Sequence, residues 1–136
     1  DIEPRDRAFG DIQIGDESSF EMTIGEESMA LFRNLTGDEN PLHTDESYAQ
    51  STRYGRRVVY GQLLNALFSR LIGHSLPGKR ALYLTQNSQF DAPCFVGDRI
   101  RVVGRVIEKH ERSKLLVIET VVLRLPDQEP VLFLPG

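Results

Sequence analysis

Apolar side chains occupy alternate positions at Phe20, Met22 and Ile24, with Glu21 and Thr23 between them. A two-residue period is the mark of a strand with one buried face. Gly15-Asp16 supplies a turn signal ahead of it. The period then lengthens. Gly25 suits an N-cap, Glu26 and Glu27 suit the positive end of a helix dipole, and Ile24 is placed to staple onto Met29. Met29, Phe32 and Leu35 recur at three-residue steps and are expected to form the buried face. Gly37 follows as the expected C-cap. Asp45 to Gln50 predicts a short helix capped by Asp45.

The strongest helical pattern comes next. Leu63, Leu64, Leu67, Phe68, Leu71 and Ile72 make a broad apolar face, opposite Asn65, Ser69 and Arg70. Gly61 opens this segment, and Gly73 and Pro77-Gly78 close it. From Ala81 to Leu134 the chain reads as strands. Leu82, Leu84 and Phe90 bracket the first, and Ile100, Val102, Gly104, Val106 and Glu108 define one face of the second. Leu115 to Leu125 and Val131 to Leu134 follow, and Lys109 to Ser113 reads as a hairpin connection. One strand, then helices, then a run of antiparallel strands implies an α+β fold, one long helix packed on a curved sheet. Residues 1–10 read as a polar, loosely held arm, and residues 11–136 as one domain.

Composition narrows the function classes. A chain of 136 residues with 40% hydrophobic and 26% charged residues can bury a core without staples. The net charge of −4 argues against a nucleic-acid partner. Cys94 is the single cysteine, so no intrachain disulfide forms and a reducing, cytoplasmic setting is expected. No apolar run approaches the ~18 residues of a membrane span, and the charged start at Asp1 does not resemble a signal peptide. No Cys/His cluster has metal-ligand spacing and no glycine-rich phosphate loop is present, so neither a metal nor a bound redox cofactor is expected.

The candidate chemistry lies in Gly37-Asp38-Glu39-Asn40-Pro41-Leu42-His43-Thr44-Asp45. Pro41 cannot continue a helix and pushes Asn40 toward an extended or turn conformation. Asp38 and His43 are therefore expected on a sharp irregular segment that aims both at one point. A positioned carboxylate and imidazole can together move protons near neutral pH. The plainer alternative at this spacing is an Asx-turn beside a surface histidine. Arg53, Arg56 and Arg57 crowd the next loop. They read either as a solvated cluster or as contacts to the phosphates of a nucleotide-bearing substrate.

The stretch Gly-Asp-x-Asn-Pro-x-His-x-Asp resembles the hydratase motif of the MaoC-like dehydratases, the hot-dog-fold (R)-specific enoyl-CoA hydratases. Similarity continues through Gly61, the segments Leu76 to Lys79 and Ala81 to Leu84, and Phe90-x-x-Pro93-x-x-x-Gly97-Asp98. The resemblance implies a hot-dog domain, Asp38 and His43 as the catalytic pair, and the Gly61 N–H as donor to the thioester carbonyl. It also places Asn40, Ser69 and Tyr60 around the substrate, with Arg53, Arg56, Arg57 and Lys79 as candidate contacts to coenzyme A phosphates. The implied substrate is an acyl-CoA thioester, with no further cofactor, and the implied assembly is a homodimer. Two departures stand out. Tyr60 and Gln62 flank Gly61 where members normally carry a histidine and often a methionine, so Tyr60 is expected to pack at this turn and to bear on which acyl chains fit. Members usually finish on a strand carrying Gly-x-Ala. The stop at Pro135-Gly136 therefore implies a trimmed last strand or continuation into another domain. Alternatives are an acyl-carrier-protein-linked 3-hydroxyacyl dehydratase, a thioesterase of the same fold, and a non-catalytic acyl-CoA-binding module.

Overall fold

A computed structural model of the chain describes residues 3–133. Exposed and half-buried positions alternate along the first strand, β1 (Glu17–Thr23), which turns Phe20 and Met22 toward the core. Helix α1 (Glu26–Thr36) starts at Gly25 and ends at Gly37. Gly37 has a φ of 75°, a left-handed cap that favours glycine, and its N–H closes on the Arg33 carbonyl. Met29 is buried and Phe32 packs on the core, but Leu35 is 84% exposed. The expected three-residue step fails there for a geometric reason. Two steps of three residues rotate the side chain about 120° away from Met29 on a helix of 3.6 residues per turn.

The remaining elements are α2 (Pro41–Thr44), α3 (Glu46–Gln50), α4 (Gly61–His74), β2 (Gln89–Phe90), β3 (Arg99–His110), β4 (Leu115–Arg124) and β5 (Glu129–Phe133). The strands form one antiparallel sheet in the order β1-β3-β4-β5-β2. Helix α4 lies against it and buries Leu63, Leu64, Phe68, Leu71 and Ile72. Most of these join Ile100 and Val102 of β3, Val122 of β4 and Val131 of β5 in a single apolar cluster. Removing one such side chain from water contributes about 1.5–3 kcal/mol. Gly104 on β3 sets how closely the helix approaches. A Cβ there would fall 2.6 Å from Leu71 Cδ2, with Leu76 and Ile118 close behind.

Two further expectations are corrected. The arm is tied down over the described residues. The Arg5 N–H donates to the His74 carbonyl and the Arg5 carbonyl accepts from the Lys79 N–H, each at 2.8 Å. Ile12 is buried with Leu76 and Val106 in a second small cluster. Asp1 and Ile2 lie outside the described residues. The first strand after α4 shrinks to Gln89–Phe90, because β5 pairs with it only there. Leu82 and Leu84 stand 83% and 65% exposed. A gap of about 910 Å³ separates Leu82 to Asn87 from Leu115 to Ile118 of β4. Pro135 and Gly136, on which the expectation of a missing last strand rested, also lie outside the described residues, as does Leu134 at the end of the expected strand from Val131.

Asp16 anchors the entry into β1. Its carboxylate accepts from the Gln13 N–H at 2.9 Å and from Arg7 at 2.6 Å. These contacts, the Gln13 N–H first and the Arg7 guanidinium next, hold it below the ordinary 3.8. A lowered folded-state pKa gives stability that is complete above the unfolded value and lost as pH falls through the folded one. Asp16→Asn is expected to lower the melting temperature near neutrality and to flatten the acid limb of a plot of melting temperature against pH, the variant and parent curves converging as pH falls below about 4.

Candidate active site

Gly37 ends α1 and releases the chain into Asp38, and two nested turns then fix the loop. Asp38 Oδ1 accepts from the Asn40 N–H at 3.0 Å, and Asn40 Oδ1 accepts from the Leu42 N–H at 3.1 Å. Asn40 is thus the N-cap of α2, with Pro41 at its first position. The irregular segment expected between Asp38 and His43 is half right, since His43 rides on this one-turn helix. The Asx-turn of the plainer alternative is present too, yet His43 is not a surface residue. It is half-buried, and its Nδ1 lies 2.6 Å from the Val58 carbonyl oxygen. A carbonyl only accepts, so Nδ1 carries a proton, and in the neutral ring Nε2 keeps its lone pair.

Tyr60 completes the site. Its hydroxyl donates to the Asp38 carbonyl at 2.7 Å, and its ring centroid lies 4.3 Å from that of His43 and 4.6 Å from that of Phe32. Burial first, and the nearby Asp38 charge second, push the phenol above its ordinary pKa, so it stays a donor. Tyr60 is also the N-cap of α4, which makes Gly61 the first helical residue. The N–H groups at that position have no acceptor within the helix and sit at the positive end of its dipole. The Phe90 ring covers Gly61 so closely that a Cβ there would meet it at 2.8 Å. His43, Tyr60, Arg57 and Glu39 line a cavity of about 350 Å³ whose outer wall is α1 at Glu26, Met29 and Arg33.

Other candidates fall elsewhere. Asn40 spends its side-chain oxygen on capping α2, which gives it a task other than touching substrate. Ser69 is exposed, eight residues along α4 from Gly61, or about 12 Å at 1.5 Å per residue. Lys79 follows the far end of that 14-residue helix, about 20 Å from its start at 1.5 Å per residue. Arg53 and Arg56 are exposed. Arg53 donates to the Tyr54 hydroxyl at 2.8 Å, and Arg56 lies over the Phe95 ring at 4.0 Å.

Arg57 is otherwise committed. It is largely covered, hydrogen-bonded and paired with Glu26, with Nε 3.4 Å from Glu46. Both carboxylates are mostly exposed, so the pairs are worth about 1 kcal/mol or less together. Arg57→Gln is expected to lower stability by roughly that amount and to leave the KM for a coenzyme A ester within about twofold. Thermal melts and steady-state kinetics would check both. Cys94 is buried, and burial is the main reason its thiol is pushed up to about 12, so it is not a nucleophile at neutral pH. Among the described residues, no group of three His, Cys, Asp or Glu side chains could hold a metal ion, and no helix is long and apolar enough to cross a membrane.

Sequence reasoning missed the Val58 carbonyl, the Phe90 cover on Gly61 and the reach of Tyr60 back to Asp38. No local signal marks the first two, since both partners come together only in the fold. The displaced histidine at Tyr60 was the one available sign of the third.

Known proteins resemble the chain over most of its length. The family model described as MaoC like domain matches residues 11–124. The (R)-specific enoyl-CoA hydratase of Aeromonas caviae is 36% identical over 109 residues, 80% of this chain and 81% of that protein. The (R)-specific enoyl-CoA hydratase of Rhodospirillum rubrum is 39% identical over 105 residues, 74% of this chain and 73% of its own length. The solved structure of the (R)-hydratase from A. caviae involved in PHA biosynthesis superposes with a TM-score of 0.87 at 32% identity, covering 90% of this chain and 92% of that one.

Proposed function

The chain belongs to the MaoC-like domain family and has its hot-dog fold, and we propose that it adds water reversibly to trans-2-enoyl-CoA to give the (R)-3-hydroxyacyl-CoA. The observation that carries this reading is the contact of His43 Nδ1 with the Val58 carbonyl. It leaves Nε2 as a base on the same short segment as a carboxylate. Similarity to two (R)-specific enoyl-CoA hydratases supports the assignment of the substrate class.

In the hydration direction, a water molecule is held by Asp38 and His43. Asp38 Oδ1 is engaged by the Asn40 N–H, which leaves Oδ2 to accept one water hydrogen. Nε2 takes the other proton as the water oxygen bonds to the β-carbon. The C=C π electrons move toward the thioester carbonyl, whose oxygen gains negative charge. The Gly61 N–H meets that oxygen at the helix N-terminus, where hydrogen bond and dipole act together. Nε2–H then returns its proton to the α-carbon and the carbonyl re-forms. Dehydration runs the same steps backward. A donor of the Gly61 type typically lowers such a barrier by about 3–4 kcal/mol.

A thioester carried by a protein is the rival substrate, because Arg53 and Arg56 present exposed guanidinium groups on one loop. The direct comparison is kcat/KM with crotonyl-CoA against crotonyl-acyl-carrier protein. Preference for the coenzyme A ester supports the hydratase reading, and preference for the carrier reassigns the substrate. Tight acyl-CoA binding without turnover would leave only a binding module. The exposed run at Leu82, Leu84 and Phe90 supports a homodimer in which this edge is covered.

A further inference from the structure

We propose that Tyr60 is a positioning residue that locks Asp38 and His43 into one rigid unit. The inference rests on the reading of those two groups as the acid/base pair. Tyr60 is a fully buried aromatic whose polar end leaves the core, and that end contacts the Asp38 main chain. The hydroxyl donates to the carbonyl of the very residue whose carboxylate must hold the water, across 22 positions of sequence. The face of the same ring lies against the imidazole that must move the proton. Phe32 of α1 also packs against the ring, and the tyrosine is 2% exposed, so it has little freedom to swing.

The loop it restrains has few other restraints. Asp38, Glu39, Asn40 and Pro41 are all exposed. Most of their hydrogen bonds are short-range turns, with Thr36 Oγ1 accepting from the Asp38 N–H at 3.2 Å and Arg33 reaching Glu39 at 3.2 Å. Turns of that kind fray together, and an exposed loop opens at little cost. The Tyr60 hydroxyl is the bond that ties Asp38 to the start of α4, one residue before Gly61. One side chain therefore fixes the carboxylate turn relative to both the imidazole and the helix N-terminus. A shift of the reacting groups by about 1 Å is enough to cost large factors in rate.

Tyr60→Phe keeps the ring and removes only the hydroxyl. A single neutral hydrogen bond is worth roughly a three- to tenfold change in an equilibrium. The variant is expected to lose about that factor in kcat with crotonyl-CoA, with KM changed less than about twofold. Amide hydrogen exchange supplies a readout independent of activity. The Asn40 N–H should exchange faster by a similar factor, while the core amide of Val102 on β3 keeps its protection. Unchanged kcat with unchanged Asn40 exchange would overturn the proposal. So would a rise in KM with kcat retained, which would make Tyr60 a substrate contact. An equal rise in exchange at Asn40 and Val102 would also overturn it, as general destabilisation. If the parent chain does not hydrate enoyl-CoA, the reading of the acid/base pair fails, and faster Asn40 exchange in Tyr60→Phe still decides whether the tyrosine locks the loop.

Discussion

Asp38→Asn and His43→Ala are each expected to lower kcat for crotonyl-CoA hydration by about 10²–10⁴, with the melting temperature close to that of the parent chain for Asp38→Asn and modestly lowered for His43→Ala, which loses the Val58 hydrogen bond and the packing on Tyr60. The asymmetry follows from where these side chains sit. Asp38 is exposed, and asparagine keeps the oxygen that accepts from the Asn40 N–H, so the turn survives the change. What is lost, in the proposed mechanism, is the carboxylate that holds and polarises the water. His43 contributes one half-buried ring, and its removal deletes the only imidazole on the segment. If the two groups handle one water molecule as proposed, the double variant should fall little below the worse single variant. Steady-state kinetics of the three variants, beside thermal melts, separate lost chemistry from lost folding.

The second large effect is on stability. Phe68→Ala is expected to cost about 3–5 kcal/mol, read as a shift of the denaturant midpoint at constant slope. Phe68 is 1% exposed, in the middle of α4, within the cluster formed with β3, β4 and β5. Its removal deletes a large apolar side chain and leaves a cavity inside that cluster, and the cavity adds to the lost transfer free energy. Alanine keeps full helix propensity, so the cost is packing rather than helix formation. The loss also reaches the site, since Gly61 and its N–H are the first turn of the same helix.

Periodicity made the long elements legible. The face of α4 and the alternation on β1 and β3 reappear in the burial of those residues, and the β-branched run of β4 is a strand. It misled where an element's partner, and not its own pattern, decides. Leu82 and Leu84 alternate well enough for a strand but have no strand beside them among the described residues. Leu35 keeps an apolar step that the helix geometry carries off the core face. The motif from Gly37 to Asp45 was legible as a pair of groups on a turn, and Gly37 and Pro41 act as their conformations require. What it could not show were contacts between distant positions. Arg57 looked like a phosphate ligand because Glu26 and Glu46, its partners, lie 31 and 11 residues away. Tyr60 looked like a substitution beside Gly61, and only the folded chain brings its hydroxyl to Asp38.

The central claim is that this chain hydrates an enoyl thioester with one defined stereochemistry. Its most direct test is to mix the purified protein with crotonyl-CoA, follow the loss of enoyl-thioester absorbance, and resolve the enantiomers of the product. The account predicts catalytic loss of absorbance with the (R)-3-hydroxyacyl-CoA as product. Retained absorbance across short and medium acyl chains, or formation of the (S)-product, would contradict it.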